Sequence, residues 1–135
     1  MINAKTDAQS EDRTVTIMQI HHVQLAMPAG KETDARQFYA QALGLDEVGK
    51  PANLAKRGGC WFEQGSVRVH LGIDPEFHPA KKAHPAFIVN DLGVMRERLK
   101  QEGYTIKDDA PLAGFTRAFV YDPFGNRIEL METAL

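Results

Sequence analysis

Four side chains of the types that bind divalent metal ions occupy corresponding places in two halves of this sequence. They are His22 and His70 in the first half, and His84 and Glu129 in the second. Each is predicted to lie within a strand or at its start, on the face opposite the Val, Leu and Ile positions. Imidazole suits Zn, Fe, Ni or Cu, and a carboxylate adds charge and suits Mn or Fe. The set therefore predicts a site for a divalent metal (Zn, Fe, Ni or Mn).

The most informative of these positions is Glu129, in the segment Asp122 to Met131 (DPFGNRIELM). Its first five residues have turn chemistry, because proline presets φ, glycine and asparagine tolerate positive φ, and aspartate can bond its own backbone. Alternation in the strand that follows places Ile128 and Leu130 on one face and Glu129 on the other. Because a buried carboxylate without a partner is costly, Glu129 is expected to contact a metal, a cation or a cluster of donors.

Each candidate ligand also has a structural interpretation. A single histidine in a strand is more often a hydrogen-bonded residue than a ligand, and only the symmetry of the four positions favours a metal. Arg68 and Arg127 share the faces of His70 and Glu129. Either arginine could bind an anionic substrate or form a salt bridge with Glu129.

Three aromatic strand residues could line a substrate pocket beside Arg68, although aromatic residues in strands usually belong to the core. They are Phe62, Phe119 and Tyr121. Cys60 has no basic neighbour in the sequence, so we interpret it as a packing residue rather than a nucleophile.

The elements that must position these residues occur in the same order twice. The first half, about residues 17–74, is predicted to form a strand, a helix and two or three strands: Val15 to Met27, Glu32 to Leu43, Leu45 to Val48, Cys60 to Glu63 and Val67 to Leu71. The second half, about residues 84–133, gives His84 to Val89, Leu92 to Gln101 capped by Asp91, Tyr104 to Lys107, Arg117 to Tyr121 and Arg127 to Met131. Residues 74–83, which contain two prolines, form a predicted linker. This pattern predicts an α+β fold of two βαβββ modules.

Length and composition narrow the class of protein. The 135 residues favour one domain over residues 17–135, after a polar N-terminal arm, residues 1–16, that is expected to be flexible. A formal net charge of -2 argues against nucleic acid as a partner. No apolar run approaches the roughly 18 residues of a membrane helix, and the N-terminus lacks a secretion-signal pattern. A single cysteine excludes an intrachain disulfide and predicts a cytoplasmic location.

Four segments resemble the vicinal oxygen chelate superfamily, which includes glyoxalase I, extradiol dioxygenases, fosfomycin-resistance transferases, methylmalonyl-CoA epimerase and bleomycin-resistance proteins. The segments are IHHVQLAMP from Ile20, ARQFYAQALGL from Ala35, HPAFIV from His84 and YDPFGNRIEL from Tyr121. The resemblance implies that the paired modules form a half-open mixed β-barrel with helices outside. It also implies a homodimer, in which many relatives complete each site with one module from each chain.

The resemblance implies roles for the four candidate ligands. His22, His84 and Glu129 match the family's metal ligands, whereas His70 stands where glyoxalase I has a glutamate that transfers protons. The loop DDAPLAGFTRAF does not resemble the potassium- and phosphonate-binding segment of the fosfomycin enzymes, and Phe119 replaces their tyrosine. The extradiol dioxygenases match in the same three ligands but are usually longer.

Three functions are consistent with this sequence. The first is a metal-dependent enzyme that acts on a small oxygenated substrate, a glyoxalase-like lyase or isomerase or a ring-cleaving dioxygenase, with Glu129 as the expected catalytic base if it can detach from the metal. The second is a metal-free module that binds or sequesters a small molecule, like the bleomycin-resistance proteins. The third is a structural or regulatory protein with a relict site.

Overall fold

The computed structural model describes residues 14–134. The arm expected over residues 1–16 therefore lies almost entirely outside the described residues. Within residues 14–134, no helix is long and apolar enough to cross a bilayer.

The first half folds into a four-stranded mixed sheet. Its elements are β1 (Val23–Met27), α1 (Glu32–Arg36), a π-helical segment that continues α1 (Gln37–Ala42), β2 (Asp46–Val48), the short helix α2 (Ala52–Ala55), β3 (Cys60–Gln64) and β4 (Val67–Ile73). The strand order is β1-β4-β3-β2, and only the β1–β4 pair is parallel. Strand β1 consequently lies at one edge of the sheet.

The second half repeats this topology. Its elements are β5 (Ala86–Ile88), α3 (Leu92–Gln101), β6 (Ile106–Asp108), β7 (Phe115–Tyr121) and β8 (Arg127–Thr133). The strand order is β5-β8-β7-β6, again with only the first pair parallel. The predicted α+β fold of two βαβββ modules is confirmed.

Helix boundaries follow the local capping chemistry. Asp91 lies at the N-cap of α3, and its Oδ1 accepts a hydrogen bond of 3.0 Å from the backbone N–H of Val94. Gly103, with φ of +88°, follows the last turn, where an L-residue with a side chain would be strained. The prediction of a helix over Leu92–Gln101 is confirmed.

Strand alternation separates a core face from an outer face in both sheets. In β8, Ile128 and Leu130 are 0% and 1% exposed in the core, and Glu129 lies on the opposite face. In β3, Cys60 and Phe62 point into the core, so that Trp61 lies on the opposite face. We refer to the faces directed away from the core as the outer faces of the two sheets. They carry His70 and Glu129, the two candidate ligands that lie within strands.

The turn between β7 and β8 joins the two halves. Asp122 Oδ1 accepts backbone N–H bonds from Phe124 and Asn126, at 2.9 and 2.8 Å. Asp122 Oδ2 accepts from the Tyr39 hydroxyl at 2.6 Å, and Asn126 Nδ2 donates to the carbonyl oxygen of Ala26 at 2.8 Å. Burial raises the pKa of Asp122, whereas the donors from Tyr39 and Asn126 act in the opposite direction. One hydrophobic cluster includes residues of both halves.

The first strand is shorter than predicted. The sequence pattern predicts a strand from Val15, but β1 begins at Val23. The reason is pairing: Val23 pairs with Val69, and β4 begins only two residues earlier, at Val67, so residues before His21 have no β4 residue to face in the described chain. Val15, Ile17 and Ile20 are instead 82%, 96% and 77% exposed.

Candidate functional site

The closest group of candidate ligands lies on the outer face of the second sheet. His84 precedes β5, and its Nε2 lies 3.0 Å from Oε1 of Glu129 in the neighbouring strand β8. The other carboxylate oxygen, Oε2, accepts a hydrogen bond of 3.1 Å from Arg117 in β7. Glu129 is only 6% exposed, and each of its two carboxylate oxygens contacts a side chain of the protein. We call His84, Arg117 and Glu129 the second-half cluster.

The tautomer of His84 follows from its other ring nitrogen. Nδ1 lies 2.8 Å from the carbonyl oxygen of Lys82. A carbonyl oxygen can only accept, so Nδ1 carries a proton. In the neutral ring, Nε2 then presents a lone pair to Glu129 Oε1, which is also an acceptor. Two acceptors 3.0 Å apart are satisfied when a proton or a metal ion lies between them.

Arg117 connects this cluster to the loop before β7. Its Nε donates to the carbonyl oxygen of Ala110 at 2.9 Å, and one terminal nitrogen lies 3.7 Å from the carboxylate of Asp109. The planar guanidinium therefore donates hydrogen bonds to the loop and to Glu129 at the same time. A lysine ammonium on a flexible stem would not reproduce this geometry.

The first half contributes a stack of three rings, which we call the first-half stack: His22, Trp61 and His70. The His70 ring lies parallel to the Trp61 indole, with centroids 3.9 Å apart and an interplanar angle of 3°. The His22 ring covers the other side of His70 at 4.2 Å and 17°. The Nδ1 of His22 also lies 3.0 Å from Nδ1 of His21.

Burial lowers the pKa of His70, and the nearby His22 acts in the same direction. A lowered pKa favours the neutral ring, which is the form that binds a metal. His70 is 5% exposed, whereas His22 lies on the exposed side of the stack.

Within one chain, the structure brings the four candidate ligands together as two pairs rather than as one site. Across residues 14–134, no group of three or more His, Cys, Asp or Glu side chains is arranged to hold a metal ion. The expected meeting of His22, His70, His84 and Glu129 at a single point is therefore not observed inside one chain. Their meeting across two chains stays a prediction.

The structure separates the residues expected to line a pocket. Phe62 is 0% exposed and stacks on Tyr39 in the core, so the prediction that it binds substrate is corrected: strand alternation turns it towards the helices. Phe119 lies on the outer face beneath Arg127 and is 5% exposed. Tyr121, opposite Arg127 in the register, is 39% exposed.

The other residues singled out from the sequence take defined places. Arg68 donates to the carbonyl oxygen of His21 at 3.2 Å and is not ion-paired in the described chain. Cys60 is 2% exposed, and burial raises its pKa to about 11, so its thiol is protonated at neutral pH.

The chain was compared with protein families once this geometry was established. Residues 19–130 match the family described as the Glyoxalase/Bleomycin resistance protein/Dioxygenase superfamily. The chain belongs to this superfamily. The match spans both sheets and the residues of the second-half cluster, and the family resemblance inferred from the sequence is confirmed. A comparison with curated proteins gave no significant match.

Solved structures of the superfamily share the fold. A protein from Bacillus anthracis assigned to the glyoxalase family is 45% identical, with a TM-score of 0.85, covering 89% of this chain and 98% of its own. The fosfomycin resistance protein FosX from Listeria monocytogenes is 18% identical, with a TM-score of 0.69 and coverages of 89% and 97%. TnmS3, an antibiotic-binding protein from Streptomyces sp. CB03234, is 20% identical, with a TM-score of 0.66 and coverages of 87% and 100%. These last two similarities show the superfamily fold alone.

Two residues beside the candidate ligands were missed from the sequence. Arg117 shares its strand face with Phe119, because the two are separated by two positions. Trp61 faces His70 across the β3–β4 hairpin, in the register set by the Gln64–Val67 pair. The faces of both residues could have been predicted by counting strand positions outward from the β3–β4 and β7–β8 turns. The ion pair between Arg117 and Glu129, however, depends on a side-chain conformation that the sequence pattern does not specify.

Proposed function

We propose that this protein is a metal-dependent enzyme that acts on a small oxygenated substrate. The observation that supports the proposal is the approach of His84 Nε2 to Glu129 Oε1 at 3.0 Å, with Nδ1 of the same ring engaged by the carbonyl oxygen of Lys82. A second hydrogen bond that fixes the tautomer and orientation of a ring is typical of metal-binding histidines. The 3.0 Å separation fits two neighbouring ligand atoms that each lie about 2.1 Å from one octahedrally coordinated ion.

A second copy of the chain is proposed to complete the ligand set with His22 and His70. The strands next to His22 and His84, β1 and β5, are both edge strands with one unpaired side. Apolar side chains near both ligands are exposed: Ile20 is 77% exposed before His22, and Ile88 is 63% exposed in β5. Exposed apolar surface of this kind is typical of interfaces, and superfamily members commonly form dimers.

The chemistry proposed for the site follows from its residues. A divalent metal bound there would act as a Lewis acid on the oxygens of the substrate. Arg117 holds Oε2 of Glu129, so Oε1 is the oxygen proposed to bind the metal or to accept a proton as the catalytic base. His70 occupies the position of a proton-transferring glutamate in glyoxalase I and is proposed as a ligand. The reaction class depends on the metal. A redox-inactive metal would support lyase or isomerase chemistry, whereas iron would support ring-cleaving dioxygenation.

Metal content tests this proposal directly. Protein purified without an affinity tag is expected to contain a stoichiometric amount of Zn, Fe, Ni or Mn by elemental mass spectrometry. The variants His84→Ala and Glu129→Ala are expected to lose it, whereas His78→Ala, an exposed histidine of the linker, is the matched control and retains it. A wild-type protein that binds none of these metals after incubation with each would rule the proposal out.

One observation favours a second function, the metal-free binding of a small molecule. Both oxygens of Glu129 already have protein partners, so a protonated His84 would satisfy the carboxylate without a metal. A small molecule that binds equally well before and after treatment with a chelator would support this alternative. The single free cysteine, Cys60, is typical of a reducing compartment, and we propose a cytoplasmic location for either function.

A further inference from the structure

Arg127 lies on the outer face of the second sheet, two residues before Glu129 on the same strand. Its guanidinium carbon lies 3.9 Å from the centroid of the Phe119 ring. A guanidinium stacked on an aromatic ring keeps its in-plane N–H groups directed sideways, where they match the two oxygens of a carboxylate. The orientation of Arg127 is thus set by packing before any ligand binds.

The charge of Arg127 has no acidic partner in the described chain. The neighbouring Arg117 contacts the carboxylates of Glu129 and Asp109, and the ion pairs of residues 14–134 do not include Arg127. Arg117 is paired with two carboxylates, whereas the guanidinium of Arg127 has no adjacent carboxylate of its own in the described chain. A monoanion complements it better than a dianion, because Glu129 repels additional negative charge.

Hydrogen bonding gives a second, independent indication. The Nε of Arg127 is enclosed and has no hydrogen-bond partner, the one such buried side-chain atom among the described residues. The residue as a whole is partly exposed, and its terminal nitrogens form no hydrogen bond within the described chain. Buried donors without a partner are rare in folded proteins, so Arg127 lacks an acceptor that the described chain does not supply.

We propose that Arg127 binds the carboxylate group of a small monoanionic ligand, with Phe119 as the ring that orients the guanidinium. This inference rests on the proposed function: a ligand carboxylate bound by Arg127 would lie beside Glu129, and the ligand would therefore be the substrate. It assigns to the substrate a carboxylate next to the oxygenated group. Phe119 supports Arg127 from below and is a positioning residue.

Benzoate is a suitable probe because it carries one planar carboxylate, and benzamide is its neutral counterpart. Titration of metal-free, ¹⁵N-labelled protein is expected to shift the Nε–H resonance of Arg127 saturably with benzoate and not with benzamide. Arg127→Gln is expected to weaken benzoate binding at least tenfold. Arg127→Lys keeps the charge but loses the pair of parallel N–H donors of the guanidinium, and is expected to give an intermediate affinity. Arg96→Gln, which removes an arginine ion-paired with Asp108 outside the site, is the matched control and binds as wild type.

Two results would overturn the inference: Arg127→Gln binding benzoate with wild-type affinity, or wild-type protein showing no saturable shift up to the solubility of benzoate. Thermal unfolding of each variant verifies that it is folded. If Arg127→Gln does not fold, Arg127→Lys provides the test. Because this titration contains no metal, its failure is distinct from failure of the metal-content test. Protein that takes up metal but not benzoate refutes only the carboxylate site.

Discussion

Arg117 shows how one side chain can control the geometry of a proposed metal ligand. Its guanidinium bonds Glu129 Oε2, the carbonyl oxygen of Ala110 and, more distantly, Asp109. These contacts fix the plane of the Glu129 carboxylate and leave Oε1 directed at His84. Partners that orient a ligand typically change metal affinity by about 10- to 100-fold when mutated.

The substitution Arg117→Lys is expected to weaken metal binding about tenfold. Lysine keeps the positive charge, so electrostatic repulsion of the metal is unchanged and only the orientation of Glu129 is lost. Removing the charge altogether would be less informative, because weaker repulsion would offset the loss of orientation. The dissociation constant for Zn²⁺, measured by competition with a chromophoric chelator, gives the result.

Arg96→Lys provides the matched control, because Arg96 makes an ion pair of 2.7 Å with Asp108 at the start of the same loop and does not contact Glu129. Its metal affinity is expected to equal that of the wild type. Equal losses in the two variants, or none in Arg117→Lys, would show that Arg117 does not position the ligand.

The sequence predicted some of these side chains better than others. The outward direction of Glu129 follows from alternation with two core residues, Ile128 and Leu130, and is confirmed. The prediction that Phe62 lines a pocket failed because the face of β3 that packs on the helices depends on the tertiary structure. The ion pair between Arg117 and Glu129 joins two strands through side-chain conformations, which no periodicity encodes.

At the scale of elements, the helix of the first half changes from α to π geometry after Arg36. The N–H of Leu43 donates to the carbonyl oxygen of Phe38, five residues earlier, at 2.9 Å. Tyr39, within the π-helical segment, reaches Asp122 of the β7–β8 turn. Burial raises the pKa of Tyr39 well above its usual value, so the hydroxyl remains a donor.

The substitution Tyr39→Phe is expected to lower the free energy of unfolding by about 1–3 kcal/mol. It removes the donor from Asp122 Oδ2, which would keep only Asn126 Nδ2 as a side-chain partner in a buried place. Urea denaturation gives the free energy. Tyr104→Phe makes the same chemical change in a partly exposed residue, and should stay within about 0.5 kcal/mol of wild type. A Tyr39→Phe protein as stable as Tyr104→Phe would contradict the role of this bond.

Element prediction succeeded where local chemistry sets the boundary and failed where a distant partner sets it. Asp91 and Gly103 define α3 through capping and positive φ, both of which are local properties. The start of β1 depends instead on where β4 begins, in a distant part of the sequence: Val23 pairs with Val69, two residues after the first residue of β4. An apolar, β-branched run such as that from Val15 to Ile20 predicts a strand whether or not a neighbour is available to pair with it.

At the scale of the molecule, the candidate ligands divide between the two sheets. His22 and His70 belong to the first sheet, and His84 and Glu129 to the second, with each pair on an outer face. The helices and the core lie on the other side of each sheet. A chain built in this way presents two half-sites, and a symmetric dimer would join each half-site to the complementary one of its partner.

Subunit mixing distinguishes sites shared between chains from sites within a chain. One variant, His22→Ala/His70→Ala, lacks the first half-site, and another, His84→Ala/Glu129→Ala, lacks the second. Each homodimer is expected to bind no metal. In the mixed dimer, one site loses all four ligands and the other retains all four. Native mass spectrometry should therefore show one metal ion per mixed dimer, bound with wild-type affinity.

The same exchange between wild-type protein and His78→Ala is the control and should give two ions per mixed dimer, which shows that mixing itself does not damage the sites. If every site lay within a single chain, each chain of the mixed variant dimer would still lack one pair of ligands, and that dimer would contain no metal. Mixed dimers without metal, beside a control with two ions, would therefore contradict the shared site. Because each sheet carries one half-site and its own edge strand, the count of one ion is the result that the two-module fold predicts.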